Sequence, residues 1–158
     1  MKGTTLIDLF VYGTLKVGYW NHDRLCRGVV SVEKAFVCGK LYETSSGIPV
    51  LRVPDETILA HGTSDLLADA ETQVRIQLGA VAEADDRVYG EILTFDDPED
   101  RLAAIDRLEG FRPGLRCTYQ RVLLPAFTNH GVVPAWGYVG GDCFEGWELR
   151  ELAGAWTP

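Results

Sequence analysis

The chain has 158 residues, 46% of them hydrophobic, which suits one domain that buries a substantial core. Its 15 Lys and Arg against 23 Asp and Glu give a formal charge of -8 without a basic run, which argues against a nucleic-acid partner. No signal-peptide pattern is present and no apolar stretch approaches the roughly 20 residues of a membrane span, so we expect a cytoplasmic protein without a membrane partner.

The N-terminal third is predicted to consist mainly of strands. Residues 5–12 (TLIDLFVY) have the β-branched and aromatic content of a buried strand, which ends at Gly13. A short helix, HDRLCR, is predicted with Asn21 as its cap. Residues 32–43 (VEKAFVCGKLYE) indicate one strand bent at Gly39, and IPVLRV indicates another after a turn.

Residues 54–87 are acidic and differ in character from the flanking strands. A helix is predicted to begin at Thr63 or Ser64. Its expected apolar face consists of Leu66, Leu67, Ala70 and Val74. We therefore predict a partly helical insertion at about 54–87 that covers the domain.

The remainder alternates strand and helix signals. RVYGEILTF, TYQRVLLPAF and VPAWGYVG are typical of strands, DDPEDRLAAIDRLEG of a helix, and a short helix is predicted near GWELRELAGAW. No repeat or linker divides the chain, so residues 1–158 are predicted to form one α+β domain around a small barrel or strongly curved sheet.

The sequence predicts no metal site. The three histidines are dispersed, and no pair of them has the spacing that places two imidazoles on one metal ion. The four cysteines are widely spaced, which is typical of reduced thiols rather than of a ligand set.

Glu109 is singled out by its place on the predicted helix 98–109. At about 100° per residue it falls within the arc of Leu102, Ile105 and Leu108, so its carboxylate should face the interior, whereas Asp106 falls at the rim and should be solvated. Desolvation and the negative end of the helix dipole both raise the pKa of such a carboxyl. This pattern suits either an acid/base residue or a structural glutamate paired with an arginine such as Arg121.

The residues after the first strand suggest an anion-binding turn. A glycine followed by short side chains lets the consecutive backbone N–H groups of residues 13–16 point into one concavity. A strand that ends at glycine also marks an ordinary turn, so this pattern by itself leaves both readings open.

Several motifs together resemble one family. FVYGTLKVGYWNH, GKLYETSSGIPVL, VYGEILTF, IDRLEGF and YQRVLL, in that order, are similar to the gamma-glutamylcyclotransferase superfamily, especially its gamma-glutamylamine-cyclotransferase-like and AIG2-like branches. The resemblance covers residues 6 to about 124. It implies a compact mixed β-barrel with flanking helices and no cofactor.

The resemblance also implies an activity and a set of site residues. The family's acid/base glutamate falls at Glu109, its cavity loop at Tyr12, Gly13, Thr14 and Leu15, and Tyr119 is expected to line the cavity beside Arg121. The substrate would be a small-molecule gamma-glutamyl amide or gamma-glutamylamine. Its free α-amino group would attack the γ-carbonyl and release 5-oxoproline and an amine.

Two other functions remain open from the sequence. One is a non-catalytic small-molecule binding module of the same fold, with Glu109 in a structural salt bridge. The other is a pathway-specific enzyme that removes a gamma-glutamyl group from a carrier or metabolite. The residues between Pro49 and Tyr89 exceed the shortest family pattern, which leaves the particular substrate, like the oligomeric state, undetermined.

Overall fold

Two β-sheets and three α-helices make up residues 5–157, the part of the chain that the computed structural model describes. The helices are α1 (Trp20–Leu25), α2 (Leu66–Arg75) and α3 (Pro98–Glu109). The strands are β1 (Ile7–Val11), β2 (Ser31–Cys38), β3 (Lys40–Thr44), β4 (Pro49–Arg52), β5 (Ala60–His61), β6 (Arg87–Phe95), β7 (Tyr119–Thr128), β8 (Gly131–Gly140) and β9 (Leu149–Leu152). None of the helices in this part of the chain is long and apolar enough to span a membrane.

Five strands close into a barrel in the order β2, β6, β1, β8, β7, and β7 returns to β2. The pairing of β1 with β8 is parallel and the other pairings are antiparallel, so the barrel is mixed. The short strand β5 adds to β7. These features confirm the predicted α+β fold with a small mixed barrel and flanking helices.

Strand β1 is packed on both faces. Phe10 belongs to a buried cluster with Val37 and Leu124 of other barrel strands, whereas Leu9 packs in a second cluster that includes Leu102 of α3. Consecutive strand residues point to opposite faces, so α3 covers the side of β1 that carries Leu9. This double burial explains why every residue of the strand except Asp8 is apolar, without an alternation of apolar and polar residues.

The single bent strand predicted for residues 32–43 is wrong, because Gly39 separates two strands that belong to different sheets. Strand β2 lies in the barrel, and β3 lies between β4 and β9 in the second sheet. The backbone passes so close to β4 here that a Cβ atom on residue 39 would lie 2.6 Å from the carbonyl oxygen of Arg52. Only glycine permits this approach.

The short helix predicted near residues 146–156 is also wrong. Residues 149–152 form β9, which pairs with β3 in antiparallel register, Leu152 opposite Leu41 and Leu149 opposite Thr44. The sequence LREL has helix-forming residues, but the unpaired edge of β3 supplies backbone partners that local propensity does not register.

The cap predicted for the first helix is corrected as well. Helix α1 begins at Trp20 with Tyr19 as its N-cap, and Asn21 lies inside its first turn. The Asn21 amide donates to the Thr14 hydroxyl at 2.6 Å, so this side chain secures the preceding turn rather than the helix end.

Helix α2 does not present the predicted apolar face. Its N-cap is Asp65, and the predicted face residues Leu67 and Val74 are exposed, whereas Asp69 and Gln73 are buried with Ala70. The buried polar side chains are hydrogen-bonded to residues of the barrel strands, which satisfies them in the interior.

Candidate active site

A cavity of about 450 Å³ lies where β1 ends, between the turn that follows this strand and the C-terminus of α3. It takes residues from the turn, from the loop before β4, from the end of α3, from the start of β7, from β8 and from the C-terminal segment. The residues predicted for the site all line it: Tyr12, Gly13, Thr14, Leu15, Glu109 and Tyr119.

The turn after β1 is fixed through its carbonyl groups. The carbonyl oxygen of Gly13 accepts from Lys16 N at 3.1 Å, and that of Thr14 accepts from His22 N at 3.1 Å. The ring Nδ1 of His22 lies 2.8 Å from the carbonyl oxygen of Leu15, to which it donates. In contrast, the N–H groups of Gly13, Thr14 and Leu15 donate to no acceptor within residues 5–157.

Of the four consecutive donors predicted at residues 13–16, Lys16 N is therefore used within the turn, and the other three belong to residues that line the cavity. The turn needs no left-handed backbone, since no residue from 13 to 16 has a positive φ. Donors of this kind, held in place by bonds on their carbonyl side, suit a carboxylate or an oxyanion. That they bind the ligand stays a prediction.

The two predicted tyrosines hold the cavity wall together. The Tyr12 hydroxyl donates to the carbonyl oxygen of Tyr138 at 2.6 Å and accepts from Leu51 N at 3.3 Å. The Tyr119 hydroxyl donates to the carbonyl oxygen of Pro49 at 2.5 Å. Burial raises the pKa of both phenols above the ordinary value, so neither serves as a base near neutral pH.

Glu109 is the last residue of α3. The helix ends because Gly110 takes a left-handed φ of 68°, and the N–H of Phe111 then bonds back to the carbonyl oxygen of Asp106 at 2.9 Å. The side chain of Glu109 is half-buried and accepts no hydrogen bond from any described residue. Its carboxylate lines the cavity. Burial, followed by the negative charge of Asp106, raises the pKa of Glu109 from 4.5 to about 7.

Asp106 is not solvated at the rim of the helix, as the sequence predicted, but buried. Its Oδ1 accepts from Arg121 Nε at 2.9 Å and from the Tyr138 hydroxyl at 2.6 Å. Arg121 is fully buried, and its Nη1 also lies 3.0 Å from Asp69 Oδ2. Arg121 therefore pairs with two aspartates and not with Glu109.

Sequence reasoning missed Asp69, Asp106 and Tyr138. Arg121 offered the one usable signal, because an arginine within the apolar strand TYQRVLLPAF requires carboxylate partners when it is buried. The sequence does not say which of the many acidic residues those partners are.

The described residues hold no group of three or more His, Cys, Asp or Glu side chains close enough to bind a metal ion. All four cysteines are free thiols, and Cys26 and Cys117 are buried. The cavity lining itself contains no histidine and no cysteine among the described residues.

Comparison with known proteins gives a family match and several structural neighbours. The family described as gamma-glutamyl cyclotransferase, AIG2-like, matches residues 9–77 and 67–158. No curated protein matches the sequence.

Solved structures that share the fold include three with TM-scores from 0.51 to 0.58. An AIG2-like protein from Mus musculus is 17% identical with a TM-score of 0.55, and the match covers 97% of this chain and 96% of that one. YkqA from Bacillus subtilis is 20% identical with a TM-score of 0.58, but the 96% of this chain that matches spans only 39% of YkqA. A uropathogenic E. coli-specific protein, c4763, is 18% identical with a TM-score of 0.51, over 96% of this chain and 93% of that one. At such identities the likeness establishes the fold.

Proposed function

The chain belongs to the gamma-glutamyl cyclotransferase, AIG2-like family, and from this premise we propose that it is an intramolecular cyclotransferase. It converts a gamma-glutamyl amide into 5-oxoproline and a free amine. Glu109 is the acid/base residue, the turn at Gly13, Thr14 and Leu15 binds the substrate, and Tyr12 and Tyr119 form the wall of the site.

The state of Glu109 is the observation that carries this proposal. Its carboxylate lines the cavity without a hydrogen-bonding or ionic partner among the described residues, while Arg121, its candidate structural partner, is occupied by Asp106 and Asp69. With a pKa raised to about 7, Glu109 exchanges a proton readily near neutral pH.

In the first step the Glu109 carboxylate takes a proton from the α-ammonium group of the substrate. The neutral amine then attacks the γ-carbonyl carbon of the same molecule and closes a five-membered ring. The carbonyl oxygen becomes an oxyanion, which the N–H groups of the turn stabilise.

In the second step protonated Glu109 gives its proton to the leaving nitrogen, and the bond between this nitrogen and the γ-carbon breaks. The ring nitrogen then passes its extra proton to the Glu109 carboxylate. Glu109 in turn gives this proton to the released amine. One amide bond is exchanged for another without net gain or loss of protons.

The rest of the site mainly has to hold the substrate in the folded shape. Both reacting groups belong to one molecule, and correct orientation of such groups contributes several kcal/mol to lowering the barrier. One carboxylate and a few fixed backbone donors are sufficient for this task.

The test is release of 5-oxoproline by the purified protein from a panel of gamma-glutamyl amides, gamma-glutamyl dipeptides and glutathione. Turnover of at least one substrate, lost in Glu109→Gln, is the expected result. Saturable binding of these compounds without 5-oxoproline from any of them would overturn the proposal in favour of a non-catalytic binding module.

A further inference from the structure

The charges around the cavity are unusually few. Its lining within residues 5–157 contains no lysine, arginine or histidine, and Glu109 is its one carboxylate. The other lining side chains are apolar, aromatic, amide or hydroxyl groups, among them Leu15, Ile48 and Trp156.

Cations close to the lining in sequence do not belong to it, and two of them have partners of their own. Lys16 follows the turn directly, but its Nζ donates to the carbonyl oxygen of Trp156 at 3.3 Å and lies 5.4 Å from the Tyr19 ring centroid. Arg121 is fully buried between its two aspartates.

An aromatic row leads from the cavity wall to the surface. The ring of Tyr119 contacts Phe144 edge-on at 5.4 Å between centroids, and Phe144 contacts Trp147 in the same way at 5.2 Å. Trp147 is 54% exposed. Ile48, which lines the cavity, is 42% exposed. The wall behind Tyr119 is therefore aromatic, and a ligand that reaches the open edge of the cavity meets the apolar side chain of Ile48.

We propose that the amine part of the substrate is uncharged and mainly apolar, so that gamma-glutamyl alkyl- or arylalkylamides are preferred over amides whose amine part carries a carboxylate or an ammonium group. This inference rests on the proposed function of the same site. The turn at residues 13–15 binds the glutamyl part, and the amine part occupies the remaining apolar wall.

The cost of desolvation explains why a charged amine part is disfavoured. A carboxylate on the amine part would lose water without gaining a cation and would lie in the same cavity as Glu109. An additional ammonium group would have Glu109 as its one anionic partner, and this ion pair would withdraw the carboxylate from proton transfer. Both kinds of charge are therefore disfavoured relative to a methyl group.

Three substrates of matched length test the inference: the gamma-glutamyl amides of n-butylamine, of putrescine and of 4-aminobutyrate. We expect kcat/KM for 5-oxoproline release from the butylamide to exceed both other values by at least about tenfold, or about 1.4 kcal/mol. A charged substrate that is used as well as the butylamide would overturn the inference.

A charge placed on the cavity lining provides a second test. Ile48→Lys should raise kcat/KM for the 4-aminobutyrate amide relative to that for the butylamide. The matched control is Val32→Lys, since Val32 is equally exposed at 42% but lies outside the lining. An unchanged ratio in Ile48→Lys, or the same change in both variants, would count against the inference.

Calorimetric binding of the three compounds to the Glu109→Gln variant distinguishes failure of this inference from failure of the proposed function. If no substrate releases 5-oxoproline but the butylamide still binds most tightly by calorimetry, the reaction is wrong and the ligand class stands. Equal dissociation constants for the three compounds would overturn the ligand class even where turnover is found.

Discussion

Asp106 and Glu109 lie about one turn apart on the same helix, and only Asp106 has a cation. Arg121 Nε is 2.9 Å from Asp106 Oδ1, whereas Glu109 forms no ion pair among the described residues. Of these two carboxylates, Asp106 is therefore ion-paired, whereas Glu109, which faces the cavity, is free to exchange a proton.

Glu109→Gln should bind substrate nearly as well as the wild type but lose turnover by a factor on the order of 10² to 10⁴. Glutamine keeps the size and hydrogen-bonding capacity of the side chain but cannot take the ammonium proton. Single-turnover 5-oxoproline release together with calorimetric binding measures both quantities. Wild-type turnover in this variant would exclude the acid/base role.

The free energy of unfolding should fall as the pH rises from about 4.5 to about 7. The pKa of Glu109 is higher in the folded protein than in the unfolded chain, so the folded state binds more protons in this window. The loss should be on the order of 1–3 kcal/mol, complete above pH 7.

Urea unfolding of the wild type and of Glu109→Gln across this pH range isolates the contribution of Glu109. The difference between the two curves should favour the variant increasingly as the pH rises. A variant less stable than the wild type at pH 7 would indicate that Glu109 is instead a structural, ion-paired residue.

Asp106→Asn should move the acid limb of the kcat/KM profile to lower pH, because it removes a negative charge that raises the pKa of Glu109. Asp69→Asn is the matched control, since Asp69 also pairs with Arg121 but does not contribute to that shift. Each variant should be destabilised by roughly 3 kcal/mol, as for the breaking of a buried ion pair. An acid limb that stays in place in Asp106→Asn would contradict the coupling.

Gly13→Val should raise KM or abolish turnover while the protein still folds. A Cβ atom at residue 13 lies 3.0 Å from Pro49 Cγ, so the turn or the cavity wall has to shift. The control is Gly79→Val, because a Cβ atom there meets nothing within 4 Å and the backbone of residue 79 has no positive φ. Wild-type kinetics in a folded Gly13→Val protein would rule out a binding role for the turn.

Residues 54–87 should exchange their backbone amide hydrogens faster than the barrel strands when no ligand is bound. Residues 77–86 are mainly exposed and form no helix or strand, so they should exchange fastest, whereas α2 is held by buried Asp69 and Gln73. Hydrogen exchange followed by mass spectrometry measures this. Uniformly slow exchange over 54–87 would refute the expectation.

Local periodicity was sufficient to predict most of the barrel strands and the position of Glu109 on the inner side of α3. It was insufficient wherever a distant partner decides the outcome. Asp106 and Asp69 are buried because Arg121 of β7 neutralises them, and β9 is a strand because β3 offers it an edge. A helical wheel contains neither partner, so it places Asp106 at a solvated rim and Leu67 and Val74 on a buried face.

The order of strands in the barrel sets how the protein folds. One seam joins Leu9 to Trp136 and the other joins Phe36 to Phe127, so each pairs an early segment with a late one. On the ribosome, β1 can find its antiparallel partner β6 early, but both seams must wait until β7 and β8 have emerged. Because these contacts are so far apart in sequence, we expect folding on a time scale of about milliseconds to seconds, with unpaired strand edges exposed to chaperones or aggregation until the barrel closes.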